Sequence, residues 1–211
     1  MKNKEIIDKL LSKLNSEFEP EIVPIILEKY SHKSNCFNNV LKKVKENGGK
    51  IHYGWILHEN EFFYEAERHA VWENNNEDLI DLTPQNGLIN EILFVSDNKN
   101  FSYNGQYLPN VRVNSTKNTV ANDYIYILDK IDFLYTFSKR KSEVEIEIEE
   151  PIKLLIDHLT EISNIYYSFL KSGKNELNKC ICGSPKSYKN CHKLRVKPET
   201  EEKIKQIKAN Y

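Results

Sequence analysis

The chain has 211 residues, 39% of them hydrophobic and 29% charged, a composition typical of a folded protein with one substantial core. Its 30 basic and 31 acidic side chains leave a formal net charge of −1, so the whole molecule is not attracted to nucleic acid or to an anionic membrane. No apolar run is long enough to span a bilayer and no signal-type segment follows Met1, so a cytoplasmic location is expected.

The N-terminal part has the apolar spacing of three helices. Apolar side chains recur at helical intervals over residues 4–15 and again over residues 20–27. A third helix is predicted over residues 34–47, and the pair Gly48-Gly49 ends it.

Beyond this glycine pair the sequence has the β-branched and aromatic residues of strands. The predicted strands share that pattern and cover residues 51–58, 62–73, 79–83, 92–95, 124–128, 134–137 and 143–149. The last of them alternates acidic and apolar residues, as a strand with one solvated acidic face does. Residues 97–122 are rich in Asn, Ser and Gly and are expected to form loops with short strands.

Two more helices are predicted, over residues 151–173 and 198–211. The pattern as a whole predicts an α+β fold in which helices are followed by an antiparallel sheet. Residues 1–172 are predicted to form this domain and residues 173–211 a small separate module. A protein that ends near Gly173 is therefore expected to stay folded.

Cys36 lies in the first turn of the third predicted helix. The N-terminus of a helix carries partial positive charge, which stabilises a thiolate and suits a nucleophilic cysteine. The alternative is that Cys36 is a small buried hydrophobic residue, as many intracellular cysteines are.

His69 and Asp81 lie on consecutive predicted strands joined by a turn at residues 74–76. If that turn is centred on Asn75, residue i pairs with residue 150 − i, and His69 faces Asp81. A carboxylate beside an imidazole fixes its tautomer, and the imidazole can then accept the proton of the Cys36 thiol. The alternative is an ordinary cross-strand pair, since a shift of one residue would abolish the facing.

The order Cys, His, Asp, with the thiol at a helix start and the others on adjacent antiparallel strands, resembles papain-like and transglutaminase-like cysteine enzymes. The resemblance rests on Cys36, on His69-Ala70-Val71-Trp72-Glu73 and on Asp81-Leu82-Thr83-Pro84. Two departures from the pattern are Phe37, which stands where this core usually has tryptophan, and Trp72, which is shifted by one position.

The resemblance implies thiol-dependent acyl chemistry on the amide bonds of a protein or peptide substrate: hydrolysis, deamidation or transamidation. Cys36, His69 and Asp81 would form the catalytic triad. The oxyanion would be bound by the backbone N–H of Cys36 and by the side chain of Asn35 or Asn39. The alternative is a non-catalytic module that binds a peptide or protein on the same fold.

Four ligand-type side chains cluster near the C-terminus in the pattern C-x-C-x8-C-H: Cys180, Cys182, Cys191 and His192. Two close pairs joined by a short loop suit tetrahedral Zn²⁺, and a site filled by four protein ligands is structural, without room for a catalytic water. This pattern argues against a catalytic zinc hydrolase. The alternative is buried cysteines, or one disulfide with a spare thiol.

The same stretch resembles the SEC-C motif, a small zinc module found at the C-terminus of the SecA translocase motor and of many bacterial proteins. Gly183, Ser184, Tyr188 and Lys189 match its intervening residues, and Pro185 replaces a glycine. The segment 34–95 is similar to uncharacterised bacterial proteins that pair the cysteine-enzyme core with a SEC-C tail.

The resemblance to SEC-C implies a protein or ribosome contact through the basic module. Residues 171–197 contain eight basic residues and one acidic residue. Sequence-specific binding of nucleic acid is not expected, because no recognition helix is predicted directly after the ligands.

Overall fold

The computed structural model describes residues 4–97, 99, 101–141 and 145–208. These residues form a mixed α+β protein with five α-helices and an antiparallel sheet. The helices are α1 (Lys4–Leu14), α2 (Cys36–Asn47), α3 (Val120–Tyr135), α4 (Glu150–Lys171) and α5 (His192–Lys208). The strands are β1 (Glu21–Pro24), β2 (Lys50–Glu59), β3 (Phe63–Glu73), β4 (Leu79–Ile80), β5 (Glu91–Ser96), β6 (Val111–Asn114), β7 (Lys139–Arg140) and β8 (Ile146–Glu147).

The main sheet has the strand order β1-β5-β2-β3-β4, and β6 pairs with β3. The described pairs of β1 with β5, β2 with β5 and β3 with β4 are antiparallel. An isolated parallel bridge between Ile25 and Asp81 joins the two ends of the sheet, so the sheet curls on itself. Strands β7 and β8 form a separate two-stranded sheet.

Most of the predicted elements are present, including α1, α2, α4 and the long hairpin of β2 and β3. The predicted helix over residues 20–27 is wrong, because Glu21–Pro24 is a strand that pairs with β5. Pro24 would in any case interrupt a helix, since it lacks the N–H that the helical ladder needs.

The predicted strands over residues 124–128 and 134–137 are also wrong, because the first segment lies within α3 and the second contains the end of α3 and the turn after it. Their aromatic and β-branched residues favour strands by propensity, but packing in the core stabilises the helix instead. Of the predicted strand 143–149, only Ile146–Glu147 is a strand, and residues 143 and 144 lie outside the described residues. The last helix begins at His192 rather than at residue 198.

The chain divides into two compact units. The sheet unit comprises Met1–Glu59, Glu65–Val111 and Arg140–Ile146, and the helical unit comprises Asn60–Tyr64, Arg112–Lys139 and Glu147–Tyr211. This division differs from the predicted domain boundary at residue 172, because α3 and α4 are in the same unit as the metal-binding segment. Whether residues 1–172 fold alone stays a prediction.

The core of the helical unit explains that grouping. Residues of the C-terminal segment are buried in the same cluster as the apolar sides of α3 and α4: Cys180, Tyr188, Cys191, Val196 and Ile204. Truncation at Gly173 would remove these side chains and expose the apolar sides of both helices. The structure therefore gives a physical reason to expect that truncation destabilises the helical unit.

A buried hydrogen-bond chain ties the C-terminal segment to that core. The Tyr166 hydroxyl lies 2.9 Å from the Tyr188 hydroxyl, and the Tyr188 hydroxyl donates to Asp123 Oδ2 at 2.7 Å. Tyr188 is fully buried, and burial raises the pKa of Asp123. The Tyr166 hydroxyl and the Asp123 carboxyl therefore both have the buried Tyr188 hydroxyl as their hydrogen-bond partner.

Tyr188→Phe is expected to lower the free energy of unfolding of the helical unit by about 1–3 kcal/mol, because it leaves a buried carboxyl and a buried hydroxyl without their partner. Tyr167→Phe is the matched control, since the Tyr167 hydroxyl is exposed and donates only a 3.3 Å bond to Glu61. Urea unfolding followed by circular dichroism measures the difference. Equal urea midpoints of unfolding for the two variants would contradict a stabilising role for the buried hydrogen bonds of Tyr188.

In the described part of the chain, no helix combines the length and apolar character needed to cross a bilayer.

Candidate active site and metal centre

Cys36 is the first residue of α2, so it lies in the first turn of the helix as the sequence predicts, and the residue is 8% exposed. The helix is positioned by Phe37 and Val40, which are buried in one apolar cluster with Ala70 on β3 and Leu82 beyond β4. This packing places the positively polarised helix N-terminus and the thiol against the strand that carries the candidate base.

His69 and Asp81 lie together, although the strand register differs from the prediction. His69 Nε2 is 2.9 Å from Asp81 Oδ1. Trp72 pairs with Ile80, two residues beyond the partner expected for a turn centred on Asn75. An even shift preserves the side of the sheet on which paired residues lie, whereas a shift of one would separate the two side chains.

The register shift comes from the connection between β3 and β4, which is longer than expected. Asn74 Oδ1 accepts hydrogen bonds from the backbone N–H groups of Asn76 and Asp78 at 2.8 and 2.9 Å. Glu77 has φ +69°, and its N–H donates to the carbonyl of Asn74. The side chain of Asn74 therefore organises a wider loop than a turn centred on Asn75 would form.

The Asp81 carboxylate is fully buried and is held from several directions. Its Oδ1 accepts a hydrogen bond from the N–H of Thr83 at 3.0 Å, and its Oδ2 accepts one from Gln85 Nε2 at 3.1 Å. Its backbone is fixed by bonds to Pro24 and Ile26 in the bridge that joins the ends of the sheet. These hydrogen bonds orient the carboxylate independently of His69, so the carboxylate can fix the tautomer of the imidazole.

The His69 imidazole interacts with Cys36 as well as with Asp81. Burial by itself lowers the pKa of His69, but the negative charge of an ionised Cys36 and hydrogen bonds to Asp81 and Cys36 outweigh it, and the pKa rises from 6.5 to about 10. Because Nε2 bonds Asp81, Nδ1 is the ring nitrogen left for Cys36. The arrangement favours the imidazolium form of His69 beside Cys36.

The two oxyanion candidates differ in how they are engaged. Asn39 Nδ2 donates to the carbonyl of His32 at 2.8 Å and to Thr83 Oγ1 at 3.3 Å, so this amide holds the chain around the site. Asn35 is the residue before α2, and its Oδ1 accepts a hydrogen bond from Asn38. Among the described residues Asn35 Nδ2 donates no hydrogen bond, which leaves it as the side-chain donor beside Cys36.

The site is nearly closed. The ring of Phe37 stacks on Tyr103 with 4.0 Å between centroids, and Phe101 and Leu108 pack into the same cluster as Cys36. Burial raises the pKa of Tyr103, and the charge of Cys36 adds to the rise while Arg140 opposes it. The segment that contains these aromatic residues therefore limits access to the thiol.

The structure contains a second polar network, formed by His52, Glu73 and Ser96, that the sequence does not predict. His52 Nδ1 is 2.8 Å from Glu73 Oε2, and His52 Nε2 is 2.9 Å from Ser96 Oγ. His52 therefore links side chains of β3 and β5 across the sheet. The hairpin of β2 and β3 could have indicated the nearness of His52 to Glu73, but Ser96 comes from β5, whose pairing partner is not evident in the sequence.

The predicted metal ligands lie together in the helical unit. One ligand atom from each of Cys180, Cys182, Cys191 and His192 lies within 4.8 Å of the others, so the cluster could hold a metal ion. The Sγ atoms of Cys182 and Cys191 are 3.8 Å apart, and Cys180 Sγ is 3.2 Å from His192 Nδ1. An ideal tetrahedron with metal–sulfur bonds of about 2.3 Å has sulfur–sulfur edges of about 3.8 Å.

Local backbone structure produces this geometry. Gly183 adopts φ +79° just after the first pair of ligands, and its N–H donates to the carbonyl of Cys180. The N–H of Cys180 donates to the carbonyl of Lys186, so the chain folds back toward the second pair. The Ser184 hydroxyl and N–H lower the pKa of Cys182 to about 6, which favours the thiolate that a metal needs.

A helix follows the ligands directly, although the sequence predicts no recognition helix at that position. Helix α5 starts at His192 and buries Val196, Thr200 and Ile204. Its buried side belongs to the core of the helical unit, so that side is not available to read a base sequence.

No protein-family model, no curated protein and no solved structure matches the chain.

Proposed function

We propose that the protein performs thiol-dependent acyl chemistry on amide bonds of a protein or peptide, with Cys36 as nucleophile. The observation that carries the proposal is the position of His69, whose imidazole interacts with Cys36 and bonds the fully buried Asp81 at 2.9 Å. A cysteine, a base within reach of it and a third group that orients the base are the parts of an activated nucleophile.

In this mechanism the Cys36 thiolate attacks the carbonyl carbon of the amide. The backbone N–H of Cys36, at a helix position that has no intrahelical acceptor, and Asn35 Nδ2 stabilise the oxyanion. His69 donates its proton to the departing nitrogen as the carbon–nitrogen bond breaks, which leaves an acyl thioester on Cys36. Water or an amine then attacks the thioester, His69 accepts a proton from it, and the thiolate is released.

The order of the residues and their placement support a papain-like or transglutaminase-like fold. Cys36 begins a helix, while His69 lies on β3 and Asp81 directly follows β4. The curled antiparallel sheet packed against that helix also supports a fold of this type. Hydrolysis, deamidation and transamidation share the thioester intermediate and differ only in what attacks it or leaves.

The near closure of the site favours a second candidate function, a module that binds a peptide or protein without catalysis. In that case Cys36 and Phe37 serve as packing residues beneath Tyr103, and the His69–Asp81 pair stabilises the sheet. The two functions differ in whether Cys36 can form a covalent acyl adduct.

We assign Zn²⁺ to the four-ligand cluster, because three thiolates and one imidazole are donors that zinc prefers and their spacing fits a tetrahedron. With all four positions supplied by protein, the ion is structural. The resemblance to SEC-C and the excess of basic residues over 171–197 support a docking role for the module, on a partner protein or on the ribosome. None of the four cysteines forms a disulfide, which suits a reducing compartment such as the cytoplasm.

Reaction with p-nitrophenyl acetate tests the acyl step without knowledge of the natural substrate. The zinc-loaded protein is expected to release a burst of p-nitrophenol as Cys36 becomes acetylated, and peptide mapping by mass spectrometry locates the adduct. Cys36→Ala is expected to abolish the burst. Acetylation that spares Cys36 and appears only on lysines or on the zinc ligands would contradict the proposed function and favour the binding module.

A further inference from the structure

The polar network of His52, Glu73 and Ser96 spans three neighbouring strands of the main sheet. His52 lies on β2, between Glu73 on β3 and Ser96 on β5. Ser96 is paired with Gly54, which has no side chain, so His52 two positions away on β2 can reach the Ser96 hydroxyl. His52 Nε2 is 2.9 Å from Ser96 Oγ, and His52 Nδ1 is 2.8 Å from Glu73 Oε2. Hydroxyl, imidazole and carboxylate thus follow one another in the order of an activated serine.

The network lies on one face of the sheet, at the end of its apolar part. Successive side chains of a strand alternate between faces, so Ser96 shares a face with Phe94, and Glu73 shares a face with Val71. Phe94 and Val71 are buried in one apolar cluster. Ser96 is partly exposed, and the side chain of His52 is 27% exposed. A small molecule can therefore approach the Ser96 hydroxyl from solvent.

The hydrogen bonds of the network define where its protons lie. Burial opposes the ionisation of Glu73, but hydrogen bonds from Lys50 and His52 outweigh it and lower the pKa of Glu73. An ionised carboxylate only accepts hydrogen bonds, so His52 Nδ1 carries the proton of the bond to Glu73. In the neutral imidazole, Nε2 then has a free electron pair and accepts the hydrogen bond of the Ser96 hydroxyl. His52 is thus oriented to act as the base for Ser96.

The backbone of Ser96 supplies a donor for an oxyanion. The N–H of Asp97 donates to the carbonyl of Tyr53, across the pairing of β5 with β2. Hydrogen bonding alternates along an antiparallel strand, so the N–H of Ser96 points away from β2 and towards the side of β1. Strand β1 begins at Glu21, which pairs with Phe94, so the ladder offers this N–H no partner. The N–H of Ser96 is therefore available to an oxyanion formed beside its own side chain.

We propose that Ser96 and His52, with Glu73 as the positioning residue, form a second catalytic site that hydrolyses uncharged carboxylic esters. Ser96 Oγ attacks the carbonyl carbon while its proton moves to His52 Nε2. As the carbon–oxygen bond of the ester breaks, Nε2 gives this proton to the departing alkoxide, and the acyl group stays on Ser96. Water then attacks the acyl group and gives a proton to Nε2. The Ser96 oxygen leaves with that proton, and the carboxylic acid is released.

The surroundings of Ser96 define the substrate class. Glu21 Oε1 lies 3.4 Å from Ser96 Oγ, so a carboxylate beside the nucleophile repels an anionic substrate. An alkoxide leaves more easily than an amide nitrogen, which suits a site whose oxyanion has one backbone donor. Because the site is open to water, the acyl group on Ser96 is hydrolysed as it forms, whereas a thioester at the nearly closed Cys36 accumulates. The ester site therefore releases alcohol steadily, without a burst, and does not depend on acyl chemistry at Cys36.

Steady hydrolysis of p-nitrophenyl acetate by the zinc-loaded Cys36→Ala protein tests this site, because that variant lacks the other proposed nucleophile. Linear release of p-nitrophenol is expected. Ser96→Ala and His52→Ala, each added to Cys36→Ala, are expected to lower the rate at least about tenfold. His58→Ala is the matched control, since His58 lies on the same strand and is 3.5 Å from the carboxylate of Glu67. Equal rates in the Ser96, His52 and His58 variants would overturn the proposal.

Labelling with a fluorophosphonate tests the nucleophile without any substitution in the network. Ser96 Oγ is expected to form a bond to phosphorus as fluoride leaves, and peptide mapping by mass spectrometry of the zinc-loaded Cys36→Ala protein locates the adduct. The folded geometry activates Ser96, so labelling is expected to be lost after denaturation in urea. Labelling that spares Ser96, or that is equally strong in the denatured protein, would overturn the proposal.

Discussion

Cys191→Ser is expected to abolish stoichiometric zinc binding and to unfold most of the helical unit while the sheet unit stays folded. Cys191 supplies one of the four ligand atoms and also lies in the buried cluster with Tyr188 and Val196. Loss of one thiolate therefore weakens the metal centre and the core at the same place. Structural zinc contributes about 10–16 kcal/mol of apparent binding free energy in small zinc-folded peptides, so the expected effect is large.

Two measurements on the same samples check this expectation. Elemental analysis gives the zinc content, and amide hydrogen exchange read by mass spectrometry compares α3, α4 and α5 with β2, β3 and β5. Cys36→Ser is the control, because it makes the same substitution outside the metal cluster. Full zinc occupancy with unchanged exchange in the three helices would contradict a structural metal.

The sequence by itself leads to a smaller expectation, in which chelation loosens only the residues beyond about 175. The buried contacts of Tyr188 with Tyr166 and Asp123 make a wider effect more consistent with the fold. Such contacts join residues far apart in the chain. The spacing of the ligands carries no information about them.

Features encoded locally could be predicted from the sequence. The metal ligands lie within thirteen consecutive residues, from Cys180 to His192, so spacing alone brings them together. The helix predicted over residues 34–47, with Cys36 in its first turn, follows from its apolar stripe and its glycine end. The nearness of His69 and Asp81 could also be predicted from the short connection between their strands. Their direct facing could not, because the register is shifted by two residues.

Features that depend on distant parts of the chain could not be predicted. The strand at Glu21–Pro24 exists because β5 lies beside it, some 70 residues later, and its apolar residues also fit a helical stripe. The covering of Cys36 by Phe101 and Tyr103 and the bond from His52 to Ser96 likewise join segments with no local signal. Helix α3 forms against strand propensity because α3 and α4 share one core.

The raised pKa of His69 also gives an expected dependence of stability on pH. The pKa is higher in the folded protein, at about 10, than the ordinary value of 6.5. The protonated imidazole therefore stabilises the fold fully below about pH 6.5, and this contribution is lost as the pH rises towards 10. His69→Ala removes it and is expected to flatten the pH dependence of unfolding over that window.

The rate at which iodoacetamide alkylates Cys36, followed by peptide mapping of the zinc-loaded protein across pH 6 to 10, tests the thiolate–imidazolium pair most directly. The unmodified protein is expected to react faster at neutral pH than a free cysteine does, because the helix N-terminus and the His69 imidazolium beside Cys36 both favour nucleophilic attack by the sulfur. An ordinary cysteine is about 1% ionised at pH 6.5, so His69→Ala is expected to slow the reaction there by about 10- to 100-fold and to make it rise steeply with pH.

His52→Ala is the control for this measurement, since it removes another histidine of the same unit that bonds Glu73 rather than Asp81. It is expected to leave the rate and its pH dependence unchanged. A Cys36 that reacts at the same rate and with the same pH profile in the unmodified protein, His69→Ala and His52→Ala would contradict the triad.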